Sequence, residues 1–109
     1  MDRRIISAIQ RQRVLSLLYD GQWRDFEPYI YGRFASGRDV LFGWQIGEAY
    51  TGWRLLYLHR LERFLVARQA FEAQRSGYAL VRPAGLEATY AEITAPLAAG
   101  SRQVSPSAM

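Results

Sequence analysis

The hydrophobic and polar positions near the N-terminus alternate with helical spacing. Ile5, Ile6 and Ile9 recur three and four residues apart, while most of the polar residues between them fall on the opposite side. This spacing predicts an amphipathic helix over residues 3–12. Asp2 stands where a carboxylate can accept hydrogen bonds from the free amides of the first turn, so it is the predicted N-cap.

After this helix, short apolar runs separated by turn signals predict a series of β-strands. The run 14–19 leads into Asp20-Gly21, a dipeptide that adopts positive φ easily and therefore favours a tight hairpin turn. The returning strand is predicted over residues 23–31. Pro28 indicates an edge position or a bulge in that strand because proline has no N–H to donate.

The later segments continue this pattern only in part. Strands are predicted over residues 40–46 and 53–58, and Gly43 indicates a bend in the first of them. Residues 58–71 fit the helical period, and on periodicity alone we predict a helix there. Residues 86–93 form a short element of undetermined type. Short strands at about ten-residue spacing predict a small barrel or sandwich.

The C-terminal residues 94–109 are rich in Ala, Ser, Pro and Gly and show no apolar period. Such a segment cannot bury enough apolar surface to offset its ordering entropy, so we predict a flexible tail. No internal repeat is apparent. One domain is therefore predicted over residues 1–93.

Composition narrows the class of protein. The chain has 109 residues, of which 50% are hydrophobic and 22% charged, as in a folded protein. It has no cysteine and one histidine, His59, which excludes disulfides, cysteine zinc sites and thiol nucleophiles. With no catalytic constellation and no Gly-rich phosphate loop, we predict a protein that is not an enzyme and holds no metal or cofactor. No apolar run has the length of a membrane span, and no signal peptide is evident, so we expect a cytoplasmic protein.

All the basic residues are of one type, and they only modestly outnumber the acidic residues. The net charge is +4, and all 14 basic residues are arginine, 12 of them within residues 1–75. Arginine presents a planar fork of donors that suits phosphate, so this usage fits contact with a nucleotide or nucleic acid. A compositional bias of the source genome is the alternative explanation.

A set of short motifs occurs in a fixed order along the chain. They are an Ala-Ile pair followed by basic residues, a strand ending in Tyr, Arg-x-x-Glu-Pro, a Gly-containing turn, a Leu-aromatic strand, and Arg-x-hydrophobic-x-Leu-x-Arg. In this chain they are Ala8-Ile9 with Arg11 and Arg13, Tyr19, Arg24 to Pro28, Gly37, Leu41 to Gln45, and Arg54 to Leu61. Together they resemble the WYL family, in particular its short stand-alone members, over about residues 5–93.

The resemblance implies a small Sm-like or SH3-like β-barrel with an N-terminal helix. It further implies a ligand-sensing or nucleic-acid-binding regulatory module in bacteria, and a strand instead of a helix over residues 61–67. The chain has no helix-turn-helix segment, so sequence-specific operator binding is not expected. The chain departs from the family pattern at Leu56, at His59, and at Val40-Leu41-Phe42, which stands where the family has Trp-Tyr-Leu.

The resemblance also implies a binding site. Arg24, Arg54 and Arg60 match the family's arginines, and three guanidinium groups on one barrel face would hold a phosphate-bearing ligand, either single-stranded nucleic acid or a nucleotide-type effector. Tyr19 would present its ring and hydroxyl to a base or sugar. The alternative for Tyr19 is a core residue whose hydroxyl is already hydrogen-bonded.

Trp44 and Gln45 complete the candidate site. Trp could stack on a base and Gln could read a base edge, but only one of two adjacent residues on a regular strand can face the ligand. Further stacking candidates, which more often belong to a core or a subunit interface, are Tyr29, Tyr31, Trp53 and Tyr57.

A second hypothesis explains the same residues without a ligand. The site arginines would form structural ion pairs with Asp25, Glu27 or Glu62. The aromatic faces and an open barrel edge would then form a homodimer or bind a protein partner. The chain would in that case be an assembly module.

Overall fold

The computed structural model describes residues 1–94, which form an antiparallel sheet preceded by a helix. Helix α1 spans Arg3–Gln10 and the short helix α2 spans Tyr78–Val81, while a 3-10 helix, Leu58–Arg60, joins β4 to β5. The strands are β1 Arg13–Tyr19, β2 Gln22–Phe34, β3 Asp39–Ile46, β4 Gly52–Tyr57, β5 Leu61–Ala70 and β6 Leu86–Glu92. The predicted mainly β class with an N-terminal helix is confirmed. From residue 95 onward, the predicted tail 94–109 lies outside the described residues.

The long strand β2 organises the sheet. The strand order is β4-β3-β2-β1-β5, and β6, in the segment whose type the sequence left undetermined, pairs with β2. Residues 22–26 of β2 pair with β1, and residues 30–34 pair with β6. No strand ladder joins β4 to β5 within residues 1–94. The sheet is therefore open between its two ends, and strand pairing within residues 1–94 does not show a closed barrel.

Pro28 lies where β2 changes from one partner to the other. Its register against β3 shifts between Pro28 and Ile30, so the bulge that proline indicated is confirmed, with Gly43 opposite. The bulge breaks the regular alternation of side chains along this strand. Tyr29 packs edge-on against an aromatic ring of β4, whereas Tyr31 accepts a hydrogen bond from the amide that precedes α1.

Helix α1 begins as its sequence predicts. The Asp2 carboxylate accepts a hydrogen bond from the backbone amide of Arg4 at 2.9 Å, which confirms the N-cap. Ile5 and Ile9 are fully buried against the sheet. The helix ends at Gln10, two residues before the predicted end.

The helix that periodicity favoured over residues 58–71 is wrong, because strand β5 occupies Leu61–Ala70. The misleading signal is the spacing of apolar residues. Leu61, Phe64 and Ala67 recur every three residues, and all three are half-buried. The pairing of β5 with β1 contains register shifts at both ends, and each shift changes which face a residue occupies. An irregular edge strand thereby acquires a helix-like apolar period. The strand over residues 61–67 that the family resemblance implied is present.

The sheet buries side chains on both faces. On the first face, Leu15 pairs with Phe26 and Leu41 pairs with Leu56, and all four are buried. On the second face lies an aromatic cluster, defined by Tyr29, Phe42, Trp53, Phe71 and Tyr78, whose members stack or meet edge-on. No helix within residues 1–94 has the length and apolar character needed to cross a membrane.

Candidate functional site

Three arginines from distant parts of the chain surround the side chain of Tyr19. The guanidinium carbons of Arg24, Arg54 and Arg60 lie 5.7, 5.6 and 5.3 Å from the centre of the Tyr19 ring. A cation within about 6 Å of an aromatic ring is attracted by the charge distribution of the ring face. Together with Gln45, these four residues form what we call the Tyr19 cluster.

The β1–β2 hairpin positions the first two members of the cluster. Asp20 and Gly21 adopt φ values of 52° and 78°, so the tight turn predicted at this dipeptide is confirmed. In the resulting register Leu17 lies opposite Arg24. The turn therefore brings the arginine back alongside the end of β1, where Tyr19 lies.

Strands β3 and β4 and the 3-10 helix bring the other members to the same place. Gln45 lies opposite Phe26 of β2, and Arg54 lies opposite Gly43 of β3. Because side chains alternate along a strand, Gln45, Gly43 and Arg54 share one face of the sheet. Arg60 ends the 3-10 helix, where the chain turns from β4 into β5.

Gln45 holds two of the arginines with one oxygen. Its Oε1 accepts hydrogen bonds from Arg24 Nη1 and Arg54 Nη1, each at 3.2 Å, and its Nε2 donates to the carbonyl of Tyr50 at 3.2 Å. Arg24 Nη2 also donates to the backbone carbonyl of Tyr19 at 2.9 Å. A neutral amide and a carbonyl thus fix the two guanidinium groups without cancelling their charges.

The cluster carries an excess of positive charge. Within residues 1–94, neither Arg24 nor Arg54 has a carboxylate oxygen within 4.0 Å of its guanidinium nitrogens. Arg60 pairs with Asp20, and its Nε donates to a carboxylate oxygen at 3.1 Å. Three guanidinium groups against one carboxylate leave two positive charges uncompensated.

The carboxylates proposed as alternative partners are engaged elsewhere or exposed. Glu27 forms a two-pronged ion pair with Arg75, with both hydrogen bonds at 2.9 Å. Asp25 and Glu62 are exposed and form no ion pair within the described part of the chain. The structural ion pairs predicted for the site arginines with these three residues are therefore absent from residues 1–94.

The environment of Arg24 disfavours its charge. Burial lowers the pKa of Arg24 below its ordinary value, and repulsion from the neighbouring Arg54 lowers that pKa further. The buried Nε of Arg24 also has no hydrogen-bond partner within residues 1–94. By contrast, the hydrogen bond to Asp20 raises the pKa of Arg60. An anion placed beside Arg24 would supply both the missing countercharge and additional acceptor atoms.

Tyr19 and Gln45 act inside the cluster and not on its surface. They are 1% and 3% exposed, respectively, and the Tyr19 hydroxyl accepts a hydrogen bond from the backbone amide of Tyr57 at 3.0 Å. The alternative of a core tyrosine with a satisfied hydroxyl matches this geometry. The two residues are thus placed to position the arginines, and stacking of a base on the Tyr19 ring is not open to a ligand in this arrangement.

Trp44 lies outside the cluster, on the other face of the sheet. Its ring meets Trp53 edge-on with 5.3 Å between ring centres, and the Arg75 guanidinium lies 4.9 Å from its centre. Of the two adjacent residues that the sequence proposed, Gln45 faces the cluster and Trp44 does not. The predicted part of Trp44 in the same site is therefore corrected.

Two parts of the site were not found by sequence reasoning. Asp20 was interpreted only as a turn residue, although its position directly after Tyr19 was an available signal. The contact of the Tyr57 backbone amide with the Tyr19 hydroxyl had no sequence signal, because it depends on how β4 approaches β1.

The described residues contain no group of three or more His, Cys, Asp or Glu side chains arranged to hold a metal ion. A scan against models of protein families, a search of curated proteins and a search of solved structures each find no match to this chain. The geometry of the Tyr19 cluster is therefore the feature that indicates a function.

Proposed function

We propose that the chain binds a phosphate-bearing ligand, a single-stranded nucleic acid or a nucleotide, through the Tyr19 cluster and serves as a non-enzymatic regulatory module. One observation carries the proposal. Arg24 and Arg54 donate to the same neutral oxygen of Gln45 and have no carboxylate partner within residues 1–94. Two fixed and uncompensated guanidinium groups form a site for an anion with several acceptor oxygens.

The chemistry of the cluster favours phosphate over a single carboxylate. Each guanidinium group has five N–H donors in a planar fork, and a phosphate group offers several oxygens that can accept from two forks at once. Repulsion between Arg24 and Arg54 would be relieved by the ligand's negative charge. Because Gln45 already holds both side chains, little additional side-chain entropy would be lost on binding.

We also propose that the fold is a small Sm-like or SH3-like barrel of the WYL type. It is supported by a strand path whose two ends, β4 and β5, are joined by the short 3-10 helix. The hydrogen bond from the Tyr57 amide to the Tyr19 hydroxyl links the end of β4 to the end of β1. The WYL motifs in the sequence are what support a role as a bacterial regulatory module.

Arg54→Gln is expected to weaken binding of a labelled single-stranded oligonucleotide of about ten nucleotides by about tenfold or more. The substitution removes one charged phosphate partner and keeps a polar side chain. Fluorescence anisotropy over a salt series measures the effect. The slope of log K against log salt should become shallower by about 0.7 if one phosphate contact is lost.

Arg68→Gln is the matched control, because Arg68 is exposed on β5 and the same charge is removed. It should change the affinity by less than about twofold. Equal losses of affinity in the two variants would show that the effect depends only on net charge. Unchanged affinity in Arg54→Gln would refute the proposal.

The edge strand β5 favours self-association as a second candidate function. Only β1 pairs with β5 within residues 1–94, and Leu65 and Val66 on it are 63% and 45% exposed. An edge strand with unpaired backbone groups and exposed aliphatic side chains can add a strand from a second copy. This observation supports the assembly hypothesis independently of the arginines.

Leu65→Lys is expected to weaken a dimer formed through β5 by about tenfold, because a charged group would replace apolar contact area at the centre of the strand. Sedimentation equilibrium over a wide range of protein concentration measures the dissociation constant. Leu80→Lys on α2 is the control, since Leu80 is 91% exposed and lies away from this edge. A wild-type chain that stays monomeric would remove this candidate.

A further inference from the structure

A second cationic site lies beside the Tyr19 cluster. An open pocket of about 410 Å³, which we call the Arg38 pocket, is lined by Phe34, Ser36, Arg38, Tyr57, His59 and Arg60. None of these six residues is acidic, and two of them are arginines; Arg60 is paired with Asp20, so Arg38 supplies the uncompensated positive charge. Among the sequence motifs, Arg38 belongs only to the turn that contains it. The pocket therefore combines positive charge with aromatic side chains.

Arg38 lies against the ring of His59 and keeps its charge. Its Nη1 lies 2.9 Å from His59 Nδ1 and 2.8 Å from His59 Nε2, so it is almost equally close to both ring nitrogens and is aligned with the in-plane lone pair of neither. Within residues 1–94, Arg38 has no carboxylate within 4.0 Å. The contact with the His59 ring limits the positions open to the Arg38 guanidinium and leaves its positive charge uncompensated.

Two residues connect the Arg38 pocket to the Tyr19 cluster. Arg60 lines the pocket and also approaches the Tyr19 ring to 5.3 Å. Tyr57 lines the pocket, and its backbone amide donates to the Tyr19 hydroxyl. The two cationic sites are thus contiguous and have Arg60 at their boundary.

We propose that the Arg38 pocket binds a second phosphate of a strand whose first phosphate is bound at the Tyr19 cluster, so that the ligand is a single-stranded nucleic acid and not a mononucleotide. This inference rests on the proposed function. Two adjacent anion sites that share Arg60 at their boundary suit a ligand with repeated phosphate groups. A nucleoside monophosphate has one phosphate group, so it cannot occupy both sites.

The aromatic side chains of the pocket favour an unpaired strand. Tyr57 and His59 lie with 5.8 Å between ring centres and an interplanar angle of 54°, and both line the pocket. Bases stack on such side chains only when they are not enclosed in a duplex. A cationic track with adjacent aromatic groups is the arrangement that single-strand binding requires. Tyr57, one of the stacking candidates in the sequence, is assigned to this pocket.

The test compares two probes, a single-stranded oligothymidylate of about ten nucleotides and thymidine monophosphate, with variants at both sites. Arg38→Gln should weaken oligonucleotide binding by about fivefold to tenfold and make the salt slope shallower by about 0.7. The same variant should bind thymidine monophosphate as the wild type does. Arg38→Lys, which keeps the charge, should recover most of the salt slope.

Different results would refute the second-phosphate site and the proposed function. If Arg54→Gln weakens both probes and Arg38→Gln weakens only the oligonucleotide, the second site is supported. If Arg54→Gln weakens binding and Arg38→Gln does not, or if Arg38→Gln weakens both probes equally, the second-phosphate site is refuted while the proposed function stands. If the wild-type chain binds neither probe, both proposals are refuted.

The matched control for this pocket is Arg33→Gln. Arg33 lies near the end of β2, its side chain is 44% exposed, and its nearest carboxylate, on Glu87, is 3.8 Å away. This variant removes one positive charge from outside the pocket lining and should leave oligonucleotide binding within about twofold of the wild type. Thermal unfolding of each variant shows whether a lost affinity reflects a lost fold, and an equal loss in Arg33→Gln would refute the pocket assignment.

Discussion

Gly43→Ala is expected to destabilise the folded chain by about 3 kcal/mol or more. A Cβ atom at this position would lie 2.1 Å from the carbonyl oxygen of Glu27 and 2.9 Å from a ring carbon of Phe26. The first contact is with the backbone, which cannot rotate away as a side chain can. β2 would have to separate from β3 at the bulge beside Pro28, where β2 changes partners.

Alanine also restricts the unfolded chain, which stabilises the folded state by about 0.4 to 1 kcal/mol relative to glycine. That gain is too small to offset a backbone clash in the middle of the sheet. Urea unfolding followed by tryptophan fluorescence measures the free energy of unfolding. Gly47→Ala is the control, since its nearest atom would lie at 3.3 Å in a loop, and we expect a change below about 1 kcal/mol. A similar, small effect of both substitutions would contradict the prediction.

Arg75→Met is expected to destabilise the chain by about 2 to 4 kcal/mol, and Glu27→Gln by about 1 kcal/mol. The difference comes from burial, because the Glu27 side chain is 6% exposed and that of Arg75 is 40% exposed. Removing the arginine leaves a buried carboxylate without its two hydrogen bonds. Removing the carboxylate instead leaves an arginine that can turn towards water.

A double-mutant cycle with Glu27→Gln and Arg75→Met measures the coupling. The double variant should be more stable than Arg75→Met alone, because a neutral amide is less costly to bury than an unpaired carboxylate. Additive effects of the two changes would show that the pair contributes no coupling energy. The ion pair also holds the segment that covers the aromatic cluster, where the Arg75 amide donates to the Tyr29 hydroxyl at 3.1 Å. Loss of stability should therefore be accompanied by a change in tryptophan fluorescence, to which Trp44, 4.9 Å from the Arg75 guanidinium, contributes.

Most members of the Tyr19 cluster could be predicted from the sequence, but their roles could not. Arg24, Arg54 and Arg60 were singled out from motif positions, and the structure brings all three to one side chain. Whether they met carboxylates or a neutral amide could not be predicted. That outcome depends on the register of β3 against β2, which sets Gln45 beside Arg24.

Buried polar groups were the least predictable feature. Glu27 shares its strand alternation with exposed Asp25, so a regular strand would place both in water. The segment after β5 instead folds over this face and supplies Arg75 as a partner. No property of the residues next to Glu27 in the sequence indicates that contact.

The sequence by itself determined the features that depend on neighbouring residues. The Asp2 cap of α1, the turn at Asp20-Gly21 and the irregularity at Pro28 follow from local hydrogen bonding and allowed φ angles. Only the tertiary structure decided that the strand implied over residues 61–67 lies at the edge of the sheet and continues to Ala70, that Gln45 and not Trp44 faces the arginines, and that the charges of Arg24 and Arg54 stay uncompensated within residues 1–94. These outcomes depend on strand register and bulges, which bring together residues that are distant in the chain and change the face each one occupies.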